Sequence, residues 1–257
     1  MIKPQVRAFL LFVLVVCFGV LIFGGYVINR EKPPIPAQIK NHQGQVILTG
    51  NEIIDGQNYY YSRGGQHIGS IWGHGSYLAP DWSADYLHRL GLYSAARHMG
   101  LEAQKAGSFT QKDFEALDPV MQARLTVLVT GEIKANHYDA KSGVLSLTPF
   151  QAEAFEHLTA YYTELFKNGN EEMGLQAGIA RDEKDGRLIS GFFLWLAWAA
   201  GTNRPGQEIT YTLNWPYDPL VGNKAVPEAI IWSIVSVILL ILALGLVLYF
   251  YNRYMKE

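Results

Sequence analysis

The sequence predicts a mainly α-helical membrane protein, with one transmembrane helix at each end flanking a single extramembrane domain that carries small β elements. Three observations predict this. Residues 8–28 and 229–250 are both apolar and free of charge. At 1.5 Å per residue each stretch reaches about 30 Å, the thickness of one hydrocarbon core. The chain between them alternates helical apolar periods with turn-rich segments and has Trp, Tyr, Phe and Leu throughout, enough for one core. The expected organisation is residues 1–28 as the first span, 29–228 as the outer domain, and 229–257 as the second span with a short tail.

The first span is too long for the apolar region of a cleaved signal peptide, and no clear small-x-small site follows it. Residues 30–38, REKPPIPAQ, form a proline-rich, extended exit from the membrane. QVILTG predicts a short strand followed by a turn, and residues 57–78, rich in glycine and aromatics, read as an ordered loop. Pro80 and Asp81 open a helix in which Trp82, Tyr86, Leu90 and Tyr93 share a face. A second helix is expected over 110–136, with Leu117, Met121, Leu125 and Leu128 as its stripe. Residues 138–148 predict a hairpin turning near Ser142-Gly143. Thr148-Pro149-Phe150-Gln151 is a helix start, with a cap, a first-position proline and a glutamine three after the cap. Residues 188–200, LISGFFLWLAWAA, predict a helix too short to span, expected to pack near the membrane or on a partner. In the second span Trp232, Tyr249, Tyr251 and Tyr254 sit where interfacial aromatics belong.

Two spans place both termini on one side. Lys3, Arg7, Arg253 and Lys256 flank the spans there, against Arg30, Lys32 and Lys224 across the membrane, a narrow vote for cytoplasmic termini. The outer domain has a small negative net charge with mixed signs. It has no basic stripe for nucleic acid and no acidic run that would suggest disorder. The only cysteine, Cys17, lies in the first span and reads as a small apolar residue there, so no disulfide staples the outer domain. The seven histidines lie outside the spans, in no HExxH, CxxC or CxxCH pattern, and read as structural or surface residues. GGQHIG lacks the Lys-Ser/Thr of a phosphate loop. The glycines around Gly73-His74-Gly75-Ser76-Tyr77 leave two readings open: an ordinary tight loop, or a turn whose exposed carbonyls take a hard cation.

Three stretches together resemble the N-terminal part of the quinol-dependent nitric oxide reductases: residues 68–89 (IGSIWGHGSYLAPDWSADYLHR), 138–155 (YDAKSGVLSLTPFQAEAF) and 195–223 (WLAWAAGTNRPGQEITYTLNWPYDPLVGN). The resemblance implies a cytochrome-c-like extracytoplasmic domain that has lost its haem. In the haem-bearing relatives a CxxCH precedes this loop. Here Gly65-Gln66-His67-Ile68-Gly69 takes its place, with no cysteine at either thioether position and glycine at the axial one, so a covalent haem has no attachment.

The resemblance further implies that the loop sits over a catalytic multi-span haem-b partner. There the Gly75 carbonyl and a Tyr77 oxygen are candidate calcium ligands shared with that partner, and Trp72, His74, Phe192, Trp195 and Trp198 are expected at the interface. Haem b, non-haem iron and the quinol site belong to the partner, and no catalytic residue is expected in this chain. The implied location is a bacterial inner membrane, with the main domain periplasmic and both termini cytoplasmic. The catalytic helices are not among these 257 residues, so the chain is expected to be either a separate subunit or a piece of a longer one. An outer sensing domain of a two-pass receptor is the rival reading, since it accounts for the same topology.

Overall fold

The computed structural model describes residues 4–76, 79–224 and 226–254. The chain divides into two compact units, Met1–Pro34 and Ile35–Glu257. The first contains helix α1, Pro4–Glu31, whose residues 7–31 are long and apolar enough to cross a membrane. Phe9, Leu14, Phe18 and Ile22 on it are all more exposed than buried, as expected of a helix with no polar face to turn outward.

The second unit opens with a hairpin of β1, Gln38–Lys40, and β2, Val46–Thr49. Its turn is closed by the Asn41 side chain, which accepts from the Gln43 and Gln45 amides at 3.0 and 2.9 Å. Helix α2, Gly50–Ser62, follows at once. It replaces the turn and the first part of the loop expected from the sequence, and only a 3-10 turn at Gly65–Ile68 separates it from the next segment. Thr49 and Glu52 form a reciprocal capping box that starts α2. Ile53, Gly56 and Tyr60 then make its buried face. Gly56 lies there because a Cβ would overlap the Leu188 carbonyl.

Helix α3, Trp82–His98, starts at Asp81 as expected. A short α4, Ala103–Gly107, was not anticipated. The single helix expected over 110–136 is two: α5, Gln111–Glu115, and α6, Pro119–Lys134. Asp118 accepts from the Val120 and Met121 amides and Pro119 takes the first position, so a new helix starts there. The buried stripe of α6 is Leu125, Val129 and Ile133, and Leu128 faces out.

Strands β3, Tyr138–Asp139, and β4, Val144–Ser146, form the expected hairpin. They join the first pair in a sheet of order β2-β1-β4-β3, with β1 and β4 parallel. Helix α7, Pro149–Asn168, begins at the Thr148 capping box with Gln151.

Helix α8, Glu183–Gly201, begins five residues earlier than expected, at the Asp182 cap. Just inside it, buried Asp185 accepts from Arg181 Nε at 2.8 Å and from the Tyr59 hydroxyl at 2.7 Å, which ties α8 to α2. The Arg181 guanidinium holds the Asp185 carboxyl well below the usual carboxylate range. Helix α8 is the centre of the domain, packed against α2, α3 and α7. The expectation that its aromatics face a membrane or partner is corrected here. Phe192 is 1% exposed, and Trp195 and Trp198 are each 7% exposed, within the domain itself. Burying each such ring stabilises by about 1.5–3 kcal/mol, which is why the most apolar helix outside the spans goes inward. Helix α9, Pro227–Tyr254, closes the chain, and residues 230–253 are again long and apolar enough to span.

Candidate docking site

In the loop between residues 69 and 81 the base is fixed, and Gly73, His74 and Gly75 are exposed. Asp81 does most of the fixing. Its Oδ1 accepts from the Ser83 and Ala84 amides at 3.0 and 3.1 Å, capping α3. Its Oδ2 accepts from the Ser70 hydroxyl at 2.7 Å and the Gly73 amide at 2.9 Å, drawing the incoming strand of the loop onto the helix start. Backbone bonds repeat the closure: Ser70 N to the Pro80 carbonyl, and Trp82 N to the Ser70 carbonyl. The Trp72 amide donates to Ser83 Oγ at 2.9 Å.

Trp72 takes a left-handed φ of 48°, a conformation that costs of order 1 kcal/mol or more for a non-glycine residue. Its indole anchors it in return. Nε1 donates to the Leu196 carbonyl of α8 at 3.2 Å, and the ring lies 5.5 Å from Trp195. Gly73, at φ 78°, packs under the Trp215 ring, where an added Cβ would stand 3.2 Å from the indole. Gly75 has φ 83°, and among the described residues nothing lies within 4 Å of where its Cβ would stand. His74 and Gly75 are exposed, and with Gln66, His67, Ser76, Ala79 and Gly174 they line a cavity of about 570 Å³.

Among the expected site residues, Trp72, His74 and Gly75 therefore lie together on this loop. Tyr77 lies outside the described residues. Phe192, Trp195 and Trp198 lie in the core, where Trp195 supports the loop through Trp72 without forming its surface. Gly75 offers one backbone carbonyl, the hard oxygen donor that calcium takes, against the six to eight such donors a calcium site needs. Among the described residues no group of three or more His, Cys, Asp or Glu side chains converges as a metal site.

The segment that stands in place of CxxCH is packed shut. The Ile68 carbonyl accepts from Trp82 Nε1 at 2.9 Å, and the Gly69 carbonyl from the Tyr60 hydroxyl at 2.7 Å. Gly69 has φ 141°, and a Cβ on it would overlap the Trp82 indole. Trp82 itself stacks on Phe193 at 5.5 Å and meets Phe166 and Tyr162 edge-on at 5.0 and 6.1 Å. A histidine side chain at position 69 has no room while Trp82 stays, so the residues present do not fit an axially ligated haem at this place.

The loop that leads towards α9 is held equally firmly, by residues not singled out in the sequence. Asp218 accepts from the Leu220 amide and pairs with His88 Nδ1 at 2.9 Å. Fully buried Asn223 donates to the Ala200 carbonyl and accepts from Lys134 Nζ. The signal for Asp218 was its place before Pro219, a cap position; Asn223 carried no local signal. The sequence model of the cytochrome c-like domain of NorB, a nitric oxide reductase component, matches residues 36–217, more than half the chain. No curated protein matches it. The chain thus belongs to the NorB family of nitric oxide reductases, of which it carries the N-terminal cytochrome c-like part.

Proposed function

We propose that this domain is an accessory cap, seated through the Gly73–Ser76 tip on the catalytic haem-b helices of a quinol-type nitric oxide reductase. Those helices perform 2 NO + 2 e⁻ + 2 H⁺ → N₂O + H₂O at a haem and non-haem iron pair, and this chain caps that centre, orders its haem propionates and helps exclude water. The observation that carries the reading is the loop itself: a base fixed by Asp81 and an exposed Gly73-His74-Gly75 tip. A rigid base with an open tip suits contact with another surface, because little ordering cost remains to be met on binding.

In this arrangement Trp72 and His74 meet the partner. The Gly75 carbonyl, with Tyr77, contributes oxygen to a calcium shared with the partner's haem propionates, whose charge the cation offsets. Residues 1–28 and 229–257 anchor the domain, both ends lie in the cytoplasm, and the domain lies outside a bacterial inner membrane in denitrifying metabolism.

The test is purification from native membranes in mild detergent. A multi-span haem-b protein, associated with this chain or continuous with it, is the expected result. Isolation of the chain with a kinase or a methyl-accepting protein instead would favour an outer sensing domain of a two-pass receptor and overturn the cap. Calcium chelation is expected to weaken the association.

A further inference from the structure

We propose that the aromatic core of the outer domain is a one-electron relay, conducting an oxidising equivalent from Trp72 at the loop base to Tyr162. Trp and Tyr are the side chains that give up an electron most readily, and rings in near contact exchange it. The contacts run without a break. Trp72 lies 5.5 Å from Trp195, which stacks on Phe192 at 6.1 Å. Phe192 lies 6.2 Å from Phe193, and Phe193 stacks on Trp82 at 5.5 Å with an interplanar angle of 10°. The two phenylalanines do not hold the charge; they fill the space across which it passes from Trp195 to Trp82. Trp82 meets Tyr162 edge-on at 6.1 Å.

A tyrosine gives up its electron readily only if its proton can leave at the same time. Tyr162 is fully buried, and burial keeps its phenol protonated at rest. Its hydroxyl donates to Asp85 Oδ2 at 2.7 Å, so the base is already in place. Arg89 Nε donates to the same oxygen at 2.9 Å, and Asp85 borders two surface cavities. Tyr86 provides the contrast. It stacks on Tyr162 at 5.7 Å and is equally buried, but among the described residues its hydroxyl has no hydrogen-bond partner. With no acceptor for its proton, Tyr86 is no terminus for the charge.

A one-electron oxidant of the high-valent iron class takes an electron at the loop and leaves a Trp82 radical cation. Tyr162 then returns one electron to Trp82 and passes its proton to Asp85, giving a neutral tyrosyl radical and a protonated carboxyl. A soluble reductant of the ascorbate class acts through Tyr161, half-buried and 5.0 Å from Tyr162. It restores the electron, and the proton returns from Asp85. The relay rests on the docking reading only for the natural source of the oxidant.

The test needs no partner. In the full chain in detergent, Cys17→Ser with His74→Cys allows a ruthenium polypyridyl photo-oxidant to be attached at the loop tip. After a flash with a cobalt ammine as electron acceptor, a tryptophan radical followed by a neutral tyrosyl radical is expected by transient absorption and electron paramagnetic resonance. Tyr162→Phe is expected to abolish the tyrosyl signal and prolong the tryptophan one, and Asp85→Asn to lower the tyrosyl yield. Trp72→Phe, at the half-exposed end of the path, leaves the core intact and is expected to slow arrival at Tyr162. An unchanged tyrosyl yield in folded Tyr162→Phe, an unchanged arrival rate in Trp72→Phe, or no tryptophan radical in the folded parent overturns the relay. None of these outcomes bears on whether the loop docks.

Discussion

Replacing Asp81 separates the two tasks of one carboxylate. Asp81→Ala removes the acceptor for the Ser83 and Ala84 amides and for the Ser70 hydroxyl and Gly73 amide together. Loss of a helix cap costs about 1 kcal/mol. Two further hydrogen bonds to a half-exposed carboxylate contribute about 1 kcal/mol each, so the expected loss is about 3 kcal/mol. Asp81→Asn keeps an oxygen where α3 needs it but turns an NH₂ group towards the Ser70 hydroxyl and Gly73 amide. The cap survives and the loop base opens, at about 1–2 kcal/mol.

For a domain of this size 1 kcal/mol corresponds to about 2–4 °C in Tm. Thermal unfolding of the full chain in detergent, followed by circular dichroism, is therefore expected to show a drop of about 6–12 °C for Asp81→Ala and about 2–8 °C for Asp81→Asn. Association with the catalytic helices is expected to fall in both variants. Equal Tm losses in the two would mean that the cap retained in Asp81→Asn adds nothing to stability. A full Tm with lost association in Asp81→Asn would mean that its oxygen adds nothing to the stability of the loop base, and either result refutes the reasoning.

Trp82→Ala is expected to cost about 3–5 kcal/mol, as for other large aromatic truncations in cores, and to reduce accumulation of the folded domain on expression. Gly69→Ala is expected to lower Tm in an otherwise wild-type chain, because its Cβ overlaps Trp82 and its φ is left-handed; Gly75→Ala, whose Cβ meets none of the described residues, serves as the comparison, with a left-handed φ and no such overlap. The Asp218 hydrogen bond raises the His88 pKa above its ordinary value of 6.5. The stability from this pair is therefore full below pH 6.5 and lost as pH rises through the raised value, and a Tm–pH profile should lose that fall in His88→Gln. Burial pushes the Lys134 ammonium down to about 8 from 10.5. The unfolded chain binds more protons between those values, so Tm should gain with pH there, and Lys134→Met should remove the gain.

Where one residue sets a local geometry, the sequence was legible. Asp81 before α3, and Thr148-Pro149 with Gln151 before α7, each carry the whole signal for a helix start within four residues. Both long apolar helices were legible from length and composition. Helix α2 was not, because its β-branched and aromatic residues and two glycines contradict helical propensity. Its reason lies 132 residues away, in the Leu188 backbone that Gly56 lets approach. The break at Asp118-Pro119 was present in the sequence but hidden by a continuous apolar period. For the site, the loop was visible through its glycines. Its support was not: Trp72 leans on Leu196 and Trp195, and Gly73 on Trp215, contacts that only folding brings together. The inward turn of the aromatic helix was missed for the same reason, since an apolar stripe does not say whether its cover is the same chain or another.

The meeting of Gly69 with the Trp82 indole also limits which substitutions this segment accepts. Restoring an attachment sequence here would take cysteines at Gly65 and Ile68 and a histidine at Gly69, and the last cannot enter while Trp82 remains. Removing Trp82 first would empty the middle of a cluster that includes Phe166, Tyr162 and Phe193. Either order of steps strains or hollows the core. The packing of Trp82 against Gly69 thus acts as a lock on this segment that no single substitution opens.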